Sequence, residues 1–164
     1  GNLDFDEYCS FLLHPLIGMN VDDLDELVSE FIESHKEKLI DPMTFDLLKR
    51  HEDDFRLVAS GSLDFIVKGF TNYFELDAYL GSSYEVVDNK ISGKLTKAAF
   101  AQGKLEKVRE WCQKNGYIVE ESFFYTDSIN DLPLIKVCPR SIIISPDKKL
   151  EDYALANNIE VLTR

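Results

Sequence analysis

Cysteine is scarce in this chain: Cys9, Cys112 and Cys138 are an odd number with no C-x-x-C pair. That excludes a disulfide framework and a zinc ribbon, and it suits a reducing, cytoplasmic setting. The three histidines, His14, His35 and His51, are scattered and form no His-rich metal motif. No apolar run reaches the roughly 18 residues of a membrane span, and no signal peptide opens the sequence. Positive charge is also in short supply, with 18 Lys and Arg against 30 Asp and Glu and a net charge of −12. Such a surface repels phosphate backbones, which argues against nucleic acid as a partner. An initiator methionine is lacking too: the chain opens Gly1-Asn2, and a helical pattern starts almost at once. What is present is sufficient for one ordinary domain, since 164 residues at 45% hydrophobic and 29% charged can bury a core of their own.

The first fifty residues read as helical. Leu3, Phe5, Tyr8, Phe11, Leu12 and Leu16 recur at helical spacing, and Pro15 and Gly18 mark the end. Of these aromatics Phe5, Tyr8 and Phe11, with Phe31 further on, are expected in the helical core rather than in a pocket. Leu24, Leu27, Val28, Phe31, Ile32 and Leu39 make the stripe of a second helix whose first turn is acidic. Asp41-Pro42 opens a third, to about residue 51. At Phe55 the pattern changes. The run Phe55-Arg56-Leu57-Val58-Ala59 predicts a buried strand that stops at a tight turn, Ser60-Gly61-Ser62. A helix over 63–74 follows, then a hairpin over 84–94 turning near Asp88-Asn89, and a helix over 103–114 closed by Gly116. Strands over 123–125, 141–145 and 159–162 alternate with helices over 129–137 and 147–157. This alternation predicts an α/β fold, a doubly wound, Rossmann-like parallel sheet covered on both faces. Residues 1–51 then form a helical cap segment and 52–164 the α/β core.

In such sheets ligands bind beyond the carboxyl ends of the strands. One predicted strand ends in Ser60-Gly61-Ser62, where hydroxyls and backbone N–H groups suit a phosphate. Another ends in Thr126-Asp127-Ser128-Ile129-Asn130-Asp131, whose carboxylates four apart share a face if a helix begins there and whose hard oxygens suit Mg²⁺. Lys104, opening a helix between the two, brings a positive charge. Each piece has a plainer reading: turn chemistry for the serines, an N-cap for Asp127, a solvated carboxylate for Asp131, a surface position for Lys104. The order of the set, hydroxyl then lysine then Asp pair, is more informative than its members.

The run from Phe124 to Leu134, with Thr126-Asp127-Ser128-Ile129-Asn130-Asp131 at its centre, resembles the fourth signature motif of haloacid dehalogenase superfamily phosphatases. Its nearest branch is that of the phosphoserine phosphatase-like hydrolases. Leu57-Val58-Ala59-Ser60-Gly61-Ser62-Leu63-Asp64 is similar to their second motif, and Gln102-Gly103-Lys104-Leu105-Glu106-Lys107-Val108 to the third. The resemblance implies a Mg²⁺-dependent phosphomonoester hydrolase acting on a small phosphorylated metabolite, with Asp127 binding the metal and Asp131 supporting it. It also implies that Ser60, Gly61, Ser62, Lys104 and Asn130 hold the phosphate, with Lys104 and Ser60 acting in catalysis.

One departure matters. The family attacks phosphate with the first Asp of a D-x-D-x-T/V motif at the end of an early strand, forming an aspartyl-phosphate. Here the early D-x-D is Asp4-Phe5-Asp6, followed by Glu7 and Tyr8 and set in a helical pattern, so both read as first-turn helix carboxylates. The resemblance therefore implies that the nucleophile strand is missing from this chain, that the natural protein extends before Gly1, and that this polypeptide is inactive. Without that strand two half-sheets with unpaired edges are expected. A smaller departure is Ser145, where the family often has Asn. A phospho-receiver domain has the wrong chain order, since its hydroxyl and lysine follow the aspartate. A non-catalytic acidic binding or scaffold module is the remaining alternative.

Overall fold

The computed structural model describes residues 4–163; Gly1, Asn2, Leu3 and Arg164 lie outside the described residues. The chain forms two compact units, Gly1–Ala99 and Phe100–Arg164.

In the first unit α1 (Phe5–Leu13) begins at Asp4, whose Oδ1 accepts the N–H groups of Asp6 at 3.0 Å and Glu7 at 3.3 Å. Asp4 is thus a helix cap and Asp6 a first-turn carboxylate. Asn20 caps the long α2 (Val21–Leu39) by accepting from the Asp22 N–H, and Asp41 caps α3 (Pro42–Arg50) by accepting from that of Met43. Then come β1 (Leu57–Leu63), α4 (Asp64–Tyr73), β2 (Ala78–Val87) and β3 (Lys90–Lys97). The sheet order is β1-β2-β3, with β1 parallel and β3 antiparallel to β2. The hairpin turns at Asp88 and Asn89, with φ of 49° and 62°, the double left-handed conformation that a tight two-residue turn needs.

Two expectations are corrected here. Ser60-Gly61-Ser62 do not form a tight turn after the strand; β1 runs through them to Leu63. Ala59 faces Leu80 and Leu63 faces Ser82, so three residues of β1 oppose Gly81 alone. The ladder swells into a bulge there because the backbones crowd: a Cβ on Gly81 would lie 2.8 Å from Asp64 Cα and 2.9 Å from the Ser62 carbonyl oxygen. The aromatics also differ from expectation. Phe5 packs against the core, but Tyr8, Phe11 and Phe31 are 42%, 75% and 51% exposed. On α1 the core takes Cys9 and Leu13, with Phe5 and Leu12 beside them, and Tyr8 and Phe11 fall outside that stripe.

The second unit runs α5 (Gln102–Asn115), β4 (Phe123–Thr126), α6 (Leu132–Ile135), β5 (Arg140–Ile144), α7 (Lys148–Ala156) and β6 (Glu160–Leu162). Gly116 ends α5 in the left-handed conformation expected of it, φ 78°. The sheet is parallel in the order β4-β5-β6, and β5 is buried from Ser141 to Ile144, as a central strand covered on both faces must be. Ile135, Ile143, Leu150 and Ala154 make its core. The helix expected over 129–137 is instead a 3-10 turn, Ile129–Asp131, followed by the four-residue α6, because Pro133 sits best in a helix's first turn. Among the described residues β1 pairs with β2 alone and β4 with β5 alone, so each presents an edge. No described helix is long and apolar enough to cross a membrane.

Candidate active site

In the second unit the candidate residues gather at the carboxyl end of β4. Thr126 is the last residue of that strand, and its Oγ1 donates to Asp131 Oδ2 at 2.6 Å while accepting the Ser128 N–H at 3.1 Å. The 3-10 turn returns Asp131 beneath the strand tip, where it is 5% exposed. Lys104, from the first turn of α5, is 8% exposed and places its Nζ 2.5 Å from Asp131 Oδ1. Among the described residues that oxygen has the ammonium beside it and no other donor. A lysine and a carboxylate this deeply buried each need the other, since an isolated charge there would cost several kcal/mol.

Asp127 and Asn130 lie on the same turn with exposed side chains. The two carboxylates four apart therefore do not share a face: the expected helix does not start until Leu132, and Asp131 is turned inward while Asp127 is outward. Among the described residues no group of three or more His, Cys, Asp and Glu forms a ready metal cage. Mg²⁺ needs none, because it keeps several waters and commonly takes one or two carboxylates. The outward carboxylate of Asp127 fits that demand. Both oxygens of Asp131 are engaged by Thr126 and Lys104.

The backbone around this edge is strained. Ala101, just before α5, has φ 47° and Ser145, just after β5, has φ 41°. Each costs on the order of 1–3 kcal/mol for a residue with a Cβ. Asn enters this region more readily than Ser, which gives the Ser145 departure a physical meaning.

In the first unit the bulge holds Ser60 and Gly61 half-buried and Ser62 exposed. Ser60 Oγ accepts the Ser62 N–H at 3.2 Å, so that N–H is already engaged. The Gly61 carbonyl accepts from Ser82 Oγ at 2.7 Å, and Ser82 Oγ in turn accepts the Ala99 N–H. Gly81 N–H donates to Asp64 Oδ1 at 2.8 Å. These bonds hold the bulge without using the Ser60 hydroxyl proton. No thiol competes as a nucleophile: Cys9, Cys112 and Cys138 are buried, and burial pushes each above the ordinary range, Cys138 to about 11.

Sequence reading missed the role of one residue of this arrangement: Thr126, which bonds Asp131, is marked only by its place at the strand's last position.

The fold matches solved structures. A protein of unknown function from Bordetella pertussis Tohama I superposes with a TM-score of 0.90 at 23% identity, over 99% of this chain and 75% of that one. A probable phosphoserine phosphatase from Vibrio cholerae, unliganded, gives 0.63 at 17% identity, over 99% and 58%. At these identities the likeness is one of fold. Among sequences, a histidinol-phosphatase of Neisseria meningitidis serogroup C is 28% identical over 99% of this chain and 76% of its own length. A probable phosphatase of Mycobacterium tuberculosis is 25% identical over 96% of this chain and 56% of its own length. The family model of the haloacid dehalogenase-like hydrolases matches residues 1–136. With the α/β fold and the ordered motifs already described, the chain belongs to the haloacid dehalogenase-like hydrolases.

Proposed function

We propose that the protein is a Mg²⁺-dependent phosphomonoester hydrolase that acts on a small phosphorylated metabolite through an aspartyl-phosphate. The observation that carries this reading is the buried Lys104–Asp131–Thr126 group beside the outward carboxylate of Asp127 at one strand tip. In the proposal Asp127 holds the metal, and Asp131 supports that site by fixing Lys104. Bound Mg²⁺ would neutralise charge on the phosphoryl oxygens. Lys104 adds a fixed positive charge, and its burial keeps it from being screened by water. Ser60 offers a hydroxyl proton to the phosphoryl group, with Gly61, Ser62 and Asn130 as further phosphate contacts. Residues 1–51 are proposed as cap and 52–164 as core.

Asp4 and Asp6 are committed to the start of α1. The chain by itself is therefore proposed to form no aspartyl-phosphate. The relationship to a histidinol-phosphatase makes a phosphorylated amino alcohol the first substrate to try.

The test is Mg²⁺-dependent phosphate release from p-nitrophenyl phosphate and histidinol phosphate, by this chain, by the full-length gene product and by the Asp127→Asn form of each. The expected result is no turnover from the chain, turnover from the longer product, and a loss of at least about 100-fold on Asp127→Asn. Turnover by the chain alone would overturn its proposed inactivity. A full-length product without Mg²⁺-dependent turnover would overturn the hydrolase reading itself.

A further inference from the structure

The apolar stripe of α2 is wider than the surface α4 covers. Leu24 and Ile32 are buried, whereas Leu27 and Phe31 are each 51% exposed. These two, with Leu24 and Val28, form one wall of a groove of about 580 Å³ whose other wall is Phe65, Ile66 and Phe70 of α4. From Leu24 to Ser34 the groove follows α2 for about three turns, roughly 15 Å. Its outer rim is acidic. Asp23, Glu26 and Glu30 fall at i, i+3 and i+7, all exposed, and Glu30 itself lines the groove. No ion pair neutralises these three among the described residues, whereas Asp25, on the side of α2 turned to α4, is paired with Lys68. In all, α2 carries seven acidic side chains against two lysines.

We propose that this groove docks an amphipathic helix with basic residues along one flank of its apolar stripe, supplied by a partner protein. A trough three turns long takes side chains at i, i+3 or i+4, and i+7 of a helix. The acidic row beside it repeats at the same helical spacing, so cations on the neighbouring flank of such a helix meet it in register. A second copy of this chain is the wrong occupant. It would bring a like-charged α2 against this one in a molecule of net charge −12. This proposal does not depend on the catalytic reading.

The experiment uses the full chain and two labelled 18-residue helical peptides with the same leucine stripe, one with lysines along one flank and one with glutamates there, followed by fluorescence anisotropy. The expected result is saturable binding of the lysine peptide only. It should weaken by about tenfold on Glu26→Lys/Glu30→Lys, on raising NaCl from 0.05 to 0.5 M, and on Phe31→Ala. Circular dichroism checks that each variant is folded, and Glu120→Lys/Glu121→Lys controls for non-specific attraction to an acidic protein. Equal binding of the two peptides, equal loss in both reversal variants, or no effect of Phe31→Ala would overturn the proposal. So would sedimentation equilibrium showing a dimer of the free chain that Phe31→Asp dissociates.

Discussion

Lys104 and Asp131 show what burial does to an ordinary pair. Exposed, a lysine and an aspartate at contact contribute under about 1 kcal/mol. At 8% and 5% exposure the desolvation cost and the attraction are both large, so removing one partner is far worse than removing both. Lys104→Met is expected to lower the urea-unfolding free energy by about 3–5 kcal/mol, because Asp131 is then a buried, unpaired carboxylate. The double variant Lys104→Met/Asp131→Asn should recover most of that loss, since Asn still accepts from Thr126 Oγ1 and carries no charge. A neutral Lys104→Met would show that the carboxylate reaches water and that the pair is not the fixed charge the proposed site requires. Local sequence is silent on this point. A lysine opening a helix is a surface residue by default, and only the order along the chain, between Ser60 and Asp127, marks Lys104.

At the scale of elements, the close contact of α2 and α4 depends on a residue without a side chain. A Cβ on Gly69 would come within 2.3 Å of Val28 Cγ1 and 3.3 Å of Ile32 Cδ1. Gly69→Ala gains up to about 1 kcal/mol of helix propensity. It also forces a stiff, β-branched valine off its rotamer or pushes the helices apart, at about 1–3 kcal/mol. The overlap is severe enough for the second effect to win, so a net loss of about 1–2 kcal/mol in urea unfolding is expected. In the Val28→Ala background the same change should turn neutral or stabilising, a coupling of at least about 1 kcal/mol. Purely additive effects would mean that Gly69 and Val28 are not in contact between α2 and α4. The β1 bulge has a similar origin at Gly81, where two backbones meet too closely for any side chain.

For the whole molecule, each compact unit has a core of its own. Cys9, Leu13, Leu24, Leu63, Phe65 and Ile91 cluster in the first, and Ile135, Ile143, Leu150 and Ala154 in the second. Units with separate cores need not unfold together. The chain's single tryptophan, Trp111, lies on α5 of the second unit and stacks on Tyr117 at 5.5 Å, so its fluorescence reports the loss of that local packing. Far-ultraviolet circular dichroism reports helices of both. Urea transitions followed by the two signals are expected to differ in midpoint, with the circular dichroism curve the broader. Coincident curves would show the two units folding as one cooperative body.

Sequence alone determined the order of elements and several of their ends. Asp41 begins a helix, Asp88-Asn89 turns the hairpin, Gly116 ends α5, and the apolar run Ile142-Ile143-Ile144 marks a strand buried on both faces. These features depend on the backbone preferences and periodicity of neighbouring residues, which any short window displays. Tertiary structure decided the rest: that Lys104 is buried, that Asp131 turns inward and Asp127 outward, and that β1 swells at Ser60-Gly61-Ser62. It also decided that half of the α2 stripe stays exposed. Each of these is set by a residue distant in the chain, a partner charge, a crowding glycine or an uncovered flank, and pairings of that kind leave no mark in local sequence.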